Sequence, residues 1–169
     1  MAVLIRLATR KDGPALGRMG GSLARLHHRF DPKRFMLPED VEAGYQWWLL
    51  RELKNRKAVV LVAEDGAQVV GYAYGRLEPR DWNALRDACG AFHDVWVDKA
   101  HRALGVGAHL SEAMMAHLQA LGCPRVVLST STKNRAAQRL FARLGWRPTM
   151  VEMTRETRRP RAPRRAAPR

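Results

Sequence analysis

The stretch Val95-Trp96-Val97-Asp98-Lys99-Ala100-His101-Arg102-Ala103-Leu104-Gly105-Val106-Gly107-Ala108 carries the residue types most suited to ligand chemistry. An apolar strand ends, a short polar loop turns, and Gly105 and Gly107 open a helix. Two glycines at this junction let the backbone approach a ligand closely. A helix N-terminus adds unpaired N–H donors and about half a positive charge. With Arg102 alongside, such a loop can hold a pyrophosphate; a tight strand-to-helix turn with no ligand is the other reading of Gly-x-Gly alone. Two nucleotide motifs compete and fail. A dinucleotide fingerprint wants a third glycine where Leu110 stands, and no Gly-Lys-Ser/Thr of a phosphate loop occurs. Just upstream, His93 has a near-neutral intrinsic pKa suited to relaying a proton, and Asp94 can orient a water or bind an ammonium. Side chains alternate along a strand, which would send one of the two into a cleft and the other to the opposite side.

These residues need a frame. An apolar strand is expected over residues 3–8, followed by turn and cap chemistry in Thr9-Arg10-Lys11-Asp12. Leu16, Met19, Leu23 and Leu26 then recur at helical spacing, with Gly20-Gly21 weakening the middle of that helix. His27-His28 at its end suit the negative end of the helix dipole; lining an acceptor site is their other reading. Pro38-Glu39-Asp40 opens a second helix with Val41, Tyr45, Trp48 and Leu49 on its apolar face. The apolar runs 58–63 and 69–77, separated by Glu64-Asp65-Gly66-Ala67, read as a β-hairpin. A fourth strand spans 92–97 and a long amphipathic helix 105–121, stopped by Gly122 and Pro124. A fifth strand starts at 126, a short helix covers 134–144 with Ala137, Leu140, Phe141 and Leu144 inward, and 149–153 is expected as a last strand. Trp47-Trp48 and Met114-Met115 read as core or interface. The alternation of strands and helices in one unit predicts a mixed α/β, α+β-type architecture.

Composition is compatible with this. The chain has 169 residues, 46% of them hydrophobic and 27% charged, which suits one globular domain and excludes collagen-like or disulfide-scaffold classes. No stretch approaches the ~18 apolar residues of a membrane span. No basic region followed by an apolar block opens the chain, so a cytoplasmic location without membrane contact is expected. Cys89 and Cys123 lack metal-ligand spacing and read as free thiols; no metal is expected. The formal net charge is +14, of which residues 157–169 carry +6 from six arginines interspersed with Pro, Ala and Thr. That segment is read as a disordered, solvated tail outside a domain of residues 1–156. It holds no aromatic residue to stack on bases, so a nucleic-acid contact through it is disfavoured. Residues 78–98, by contrast, are net −3, an arrangement that draws an ammonium group within a protein whose overall charge favours a polyanionic cofactor.

Two motifs taken together resemble the GNAT superfamily of acetyl-coenzyme A-dependent N-acetyltransferases. Arg102-Ala103-Leu104-Gly105-Val106-Gly107 matches the family's Arg/Gln-x-x-Gly-x-Gly/Ala. Asn134, Ala137, Leu140-Phe141 and Gly145-Trp146 follow the order of its downstream Asn-to-aromatic motif. The resemblance covers residues 3 to about 155. It implies a central mixed, mostly antiparallel sheet flanked by helices, with a splayed pair of strands that admits the pantetheine arm of acetyl-coenzyme A, the acyl donor. It further implies that backbone groups of Val95, Trp96 and Val97 pair with that arm. The amides of Ala103, Leu104, Gly105, Val106, Gly107 and Ala108, with Arg102, would cradle the pyrophosphate, and Asn134 would contact the cofactor near its pantetheine. Direct attack by a neutral amine on the thioester, in a ternary complex, is the implied chemistry. A small-molecule amine, a peptide N-terminus or a lysine is the implied acceptor. Phe141 stands where the family frequently has the Tyr that protonates the leaving thiolate, and Ser129 where some members have a Glu base. His93 and Asp94 are therefore the candidates for proton transfer. The competing reading is a non-catalytic coenzyme A-binding or nucleic-acid-binding module that uses the basic tail. Strand edges and the Trp pair also admit a homodimer.

Overall fold

The structure, a computed structural model, describes residues 3–157. Of the tail at 157–169, expected to be disordered, residues 158–169 lie outside the described residues. Five strands form one sheet in the order β1-β2-β3-β4-β5: β1 (Leu4–Leu7), β2 (Ala58–Asp65), β3 (Gln68–Glu78), β4 (Cys89–Val97) and β5 (Val126–Leu128). Every neighbouring pair is antiparallel except β4 with β5, which run parallel. Helices α1 (Gly13–Phe30) and α2 (Val41–Glu52) pack on one face; α3 (Val106–Ala120) packs on the other and α4 (Arg135–Arg143) follows β5.

Sequence alternation along β2 and β3 builds both cores at once. Val60, Val62, Tyr72 and Tyr74 meet Leu16, Met19, Leu23 and Leu49 on the α1/α2 side. Val59, Leu61, Ala63, Val70 and Ala73 meet Val106, Leu110, Met114 and Leu118 on the α3 side. A sheet covered on both faces explains why both hairpin strands read as continuous apolar runs rather than as alternating ones.

Gly20-Gly21 do not weaken α1 in the way their propensity implies. Both are buried and helical, and a Cβ on Gly20 would lie 2.2 Å from Tyr45 Cδ1. The absence of side chains lets α2 approach closely, so packing outweighs the ~1 kcal/mol helix cost of each glycine. A second departure is at the C-terminus. Residues 147–157 form no strand, and Met150, Val151 and Met153 are exposed. The segment is held instead by ion pairs from Glu152 to Arg34 and from Glu156 to Lys33 on the loop after α1. β-Propensity alone does not make a strand where no ladder partner is presented. Of the Trp pair, Trp48 packs edge-on against Tyr74, whereas Trp47 is 63% exposed and carries the Arg51 guanidinium over its ring. Met114 is core and Met115 is not.

The edge of the fold near α1 is tied by charge. Arg6 donates to both Asp12 and Glu64 across the β1–β2 pair. The guanidinium holds the nearly buried Asp12 carboxyl below its ordinary pKa of 3.8. No helix among the described residues is long and apolar enough to cross a membrane.

Candidate active site

The site is made by a strand pair that separates. β5 pairs with β4 only at Gly90, Ala91 and Phe92, while β4 continues to Val97. Beyond Phe92 the β5-facing edge of β4 has no strand partner among the described residues. A narrow cavity of about 50 Å³ opens at this split, lined from α1 by Leu23 and His27, from β4 by Phe92 to Val95, and from β5 onward by Ser129, Thr130, Asn134 and Phe141.

The split has a local cause. Tyr74 is opposite Asp94 and Gly75 is opposite Phe92, so His93 is an extra residue, a β-bulge in β4. A bulge bends its strand and adds twist, which carries β4 away from β5. It also overturns the expectation that His93 and Asp94 face opposite sides. Both project toward the α1/α2 face: the His93 ring stacks on Tyr74 at 5.3 Å, and Asp94 Oδ2 accepts from the Tyr72 hydroxyl at 2.9 Å. Strict alternation resumes afterwards, with Val95 and Val97 packed toward α3 and Trp96 toward α1 and α2.

The electrostatics of the pair differ. Asp94 lies low in the cleft and makes no ion pair among the described residues. Burial pushes its carboxyl from 3.8 to about 6, with the Tyr72 hydrogen bond opposing part of the rise. His93, more exposed, has Nε2 3.3 Å from Glu78. Glu78 in turn neighbours Arg76, which reaches Glu52, itself an acceptor for the Tyr74 hydroxyl. His27 joins the cavity wall, so it does more than suit the dipole of α1; its Nδ1 is 3.0 Å from the Leu23 carbonyl. His28 turns away to the Phe35 carbonyl.

At the other end of β4 lies the candidate phosphate loop. A 3-10 turn at Lys99–His101 leads into it, pinned to the end of β2 by His101 and Asp65 at 3.2 Å. Gly105 caps α3 with φ +83°, a left-handed conformation that glycine adopts freely. Ala103 also takes positive φ, +64°, at a strain cost of about 1–2 kcal/mol. Among the described residues, no acceptor takes the N–H groups of residues 103–108. A row of unpaired donors at the start of a fifteen-residue helix is an anion site in waiting. A Cβ on Gly107 would lie in ordinary contact with Leu140 of α4 and Val97 of β4. The residues present therefore fit a chain-like ligand ending in phosphates, which would lie along the free edge of β4 with its anionic end on this loop.

Arg102 flanks the loop. Its Nε donates to the Val97 carbonyl at 2.9 Å and its guanidinium lies over Trp96, 4.6 Å from the ring centroid, so it braces the end of β4. Asn134 is the N-cap of α4: its side-chain oxygen accepts from the Ala137 N–H, and the residue lines the cavity. Phe141 sits on the cavity floor against Phe92 and Trp146 and offers no exchangeable proton. Tyr72 was not singled out by sequence. Its signal was available: Tyr72 and Tyr74 are two residues apart in an apolar strand, and each buried hydroxyl requires a partner. Among the described residues no group of three or more His, Cys, Asp or Glu gathers to hold a metal, and Cys89 and Cys123 are free and buried.

The Acetyltransferase (GNAT) family matches residues 22–146. The chain belongs to that family, the acetyl-coenzyme A-dependent N-acetyltransferases indicated by the two motifs. A mycothiol acetyltransferase from Thermomonospora curvata is 29% identical over 106 residues, which is 59% of this chain and 33% of that protein. The chain thus spans about a third of the length of this curated relative. Among solved structures, a tetramutant of the BH1408 protein from Bacillus halodurans superposes with a TM-score of 0.79 at 21% identity, covering 91% of this chain and 99% of the other. AAC(6')-Iy, solved with the bisubstrate analogue CoA-S-monomethyl-acetylneamine, gives 0.68 at 17% identity over 94% and 99%. At such identities these two likenesses speak for the fold.

Proposed function

We propose that this protein transfers an acetyl group from acetyl-coenzyme A to a primary amine, on a small molecule, a peptide N-terminus or a lysine, by direct attack in a ternary complex. The observation that carries the reading is the continuity of one surface: the unpaired edge of β4 beyond Phe92 runs into the row of free amides at 103–108. The thioester supplies the activated acyl group. The chain's own residues do the rest. Residues 103–108 hold phosphates through backbone donors and the α3 dipole. Edge groups of Val95 and Val97 fix the arm, and N–H groups of β4 polarise the acyl carbonyl. The amine enters from the α1/α2 side. There Asp94 accepts its proton, directly or through water, and His93, held by Glu78, relays protons at the more exposed end. As the C–N bond forms, the C–S bond breaks, and the departing thiolate takes its proton from solvent because Phe141 has none to give.

Asp94, together with Glu78 and Glu52 that share the single cation Arg76, leaves this side net negative and favours an ammonium-bearing molecule, while the +14 overall charge disfavours a polycation at long range. The domain is proposed to be residues 1–156, acting in the cytoplasm, with the tail dispensable for chemistry. That a relative of which this chain spans a third is a mycothiol acetyltransferase supports an amine on a small polar molecule. The test is release of free coenzyme A thiol from acetyl-coenzyme A across a panel of amino sugars, amino acids, polyamines and peptide N-termini. The reading requires amine-dependent release and a product heavier by one acetyl group. A protein that binds acetyl-coenzyme A yet releases no thiol with any amine of the panel would be a binding module instead.

A further inference from the structure

Tyr72 is fully buried, yet its hydroxyl is not consumed by the core: it donates to Asp94 Oδ2 at 2.9 Å. The contact is diagonal, because Tyr72 is opposite Trp96 in the ladder and it is Tyr74 that faces Asp94. The bulge at His93 turns Asp94 onto the same face as both tyrosines and so brings it within reach. Asp94 Oδ1 has no hydrogen-bond partner among the described residues, and Asp94 lines the cavity. One carboxylate oxygen is therefore tied to the sheet and the other is left for the cleft.

We infer that Tyr72 is a positioning residue for acetyl transfer: it fixes the Asp94 carboxylate so that a single oxygen is presented to the incoming amine. This inference rests on the reading of Asp94 as the proton acceptor. The physical argument is one of satisfaction and selection. A phenol hydroxyl buried without a partner is costly, so the Tyr72–Asp94 bond is retained wherever the sheet is intact. A donor to one oxygen also favours the charged form of the carboxylate, against the burial that disfavours it. The groups that face Asp94 from the surrounding elements are Tyr72 on β3, Tyr45 on α2, His27 on α1 and His93 on β4; the β5 and α4 side contributes the neutral Ser129, Thr130 and Asn134. With no cation paired to Asp94 among the described residues, the Tyr72 hydroxyl is the main device that keeps it ionised near neutrality.

The experiment uses the full chain labelled with 13C at aspartate carboxyls, as wild type, Tyr72→Phe and Asp94→Asn. One carboxyl resonance should titrate near pH 6 and be missing in Asp94→Asn. In Tyr72→Phe, which keeps the ring and its packing, that resonance should titrate at least half a pH unit higher. In parallel, with acetyl-coenzyme A and the panel amine turned over fastest, the acidic limb of kcat should move up by the same amount. That is a loss of about threefold at a pH on the limb, with KM for acetyl-coenzyme A unchanged within twofold. A resonance and limb that stay in place in Tyr72→Phe, while Asp94→Asn abolishes the limb, overturn the role of Tyr72 alone. An Asp94→Asn variant with the wild-type rate and profile overturns the assignment of Asp94 and removes Tyr72 from the reaction with it.

Discussion

Gly107 offers the cleanest separation of ligand binding from folding. It lies in the first turn of α3 without positive φ, and a Cβ there would meet Leu140 Cδ2 at 3.4 Å and Val97 Cγ2 at 3.8 Å, both ordinary contacts. Gly107→Ala is therefore expected to leave the melting temperature unchanged or to raise it, since alanine in a helix is favoured over glycine by up to ~1 kcal/mol. The family motif admits alanine at this position, so Gly107→Ala should also keep its affinity for acetyl-coenzyme A. Gly107→Val adds two further carbons against Leu140 and Val97 and displaces the first turn of α3. Losing or lengthening even one charge-assisted N–H bond there costs about 1.5–3 kcal/mol, so the affinity of this variant should fall at least tenfold. Gly105→Ala is the contrasting control. Its φ of +83° imposes a strain of about 1–2 kcal/mol, and its Cβ meets only His109 at 3.8 Å. It should melt roughly 2–8 °C lower, by the ~2–4 °C per kcal/mol expected for a chain of this size, with a smaller direct effect on binding. Calorimetry with acetyl-coenzyme A and thermal melts on all three variants read both quantities. Undiminished affinity in a folded Gly107→Val protein would refute the assignment of this loop.

Asp94→Asn should lower turnover at least tenfold and stabilise the fold at neutral pH. The carboxyl titrates at about 6 when folded and near 3.8 when unfolded, so its ionisation penalises the native state as pH rises from 4 to 6, fully above 6, by up to ~3 kcal/mol. Denaturant unfolding should show no advantage of the variant at pH 3.5 and one of about 1–3 kcal/mol at pH 7.5; equal stability at both would argue against the burial. Phe141→Tyr should change kcat by less than about tenfold, because the leaving thiol, with a pKa near a free cysteine's ~8.5, needs little help; a larger gain would mean that leaving-group protonation limits the wild type. Truncation after Glu156 should leave turnover and melting temperature nearly unchanged, and a large loss of either would show that the arginine tail docks. Arg6→Met should destabilise by about 3 kcal/mol at pH 7, as it strands the nearly buried Asp12, and by less as pH falls through 4 and that carboxyl protonates; urea titrations at the two pH values check it.

The parts of the site made of backbone were the most legible in the sequence. Gly105 and Gly107 mark where the chain must come close to something, and their place between an apolar strand and an amphipathic helix already defined the loop. The two-sided hairpin was equally plain, because a sheet covered on both faces leaves uninterrupted apolar runs at 58–63 and 69–77. What alternation could not foresee was a break in its own period. Nothing in Phe92-His93-Asp94 announces a bulge, yet that one extra residue puts His93 and Asp94 on one face and opens the split from β5. Residues 149–153 carry strand-like types but are presented no ladder partner, which is a tertiary fact. Gly20-Gly21 read as a weakness until Tyr45 is seen against them. Arg102, a phosphate ligand by motif, also braces the Val97 carbonyl through Nε, a contact that the motif does not announce.

We propose the gap between β4 and β5, continued by residues 103–108, as the seat of the acyl donor. Amide hydrogen exchange followed residue by residue, with and without saturating acetyl-coenzyme A, tests it most directly. Amides of Val95, Val97 and residues 103–108 lie on the free edge and in the unpaired loop, so they should exchange fast in the free protein and become protected on binding, whereas the Trp96 amide, turned toward β3, should be protected in both states. Protection confined to another surface, with the edge and loop amides still exchanging freely at saturation, would contradict the claim.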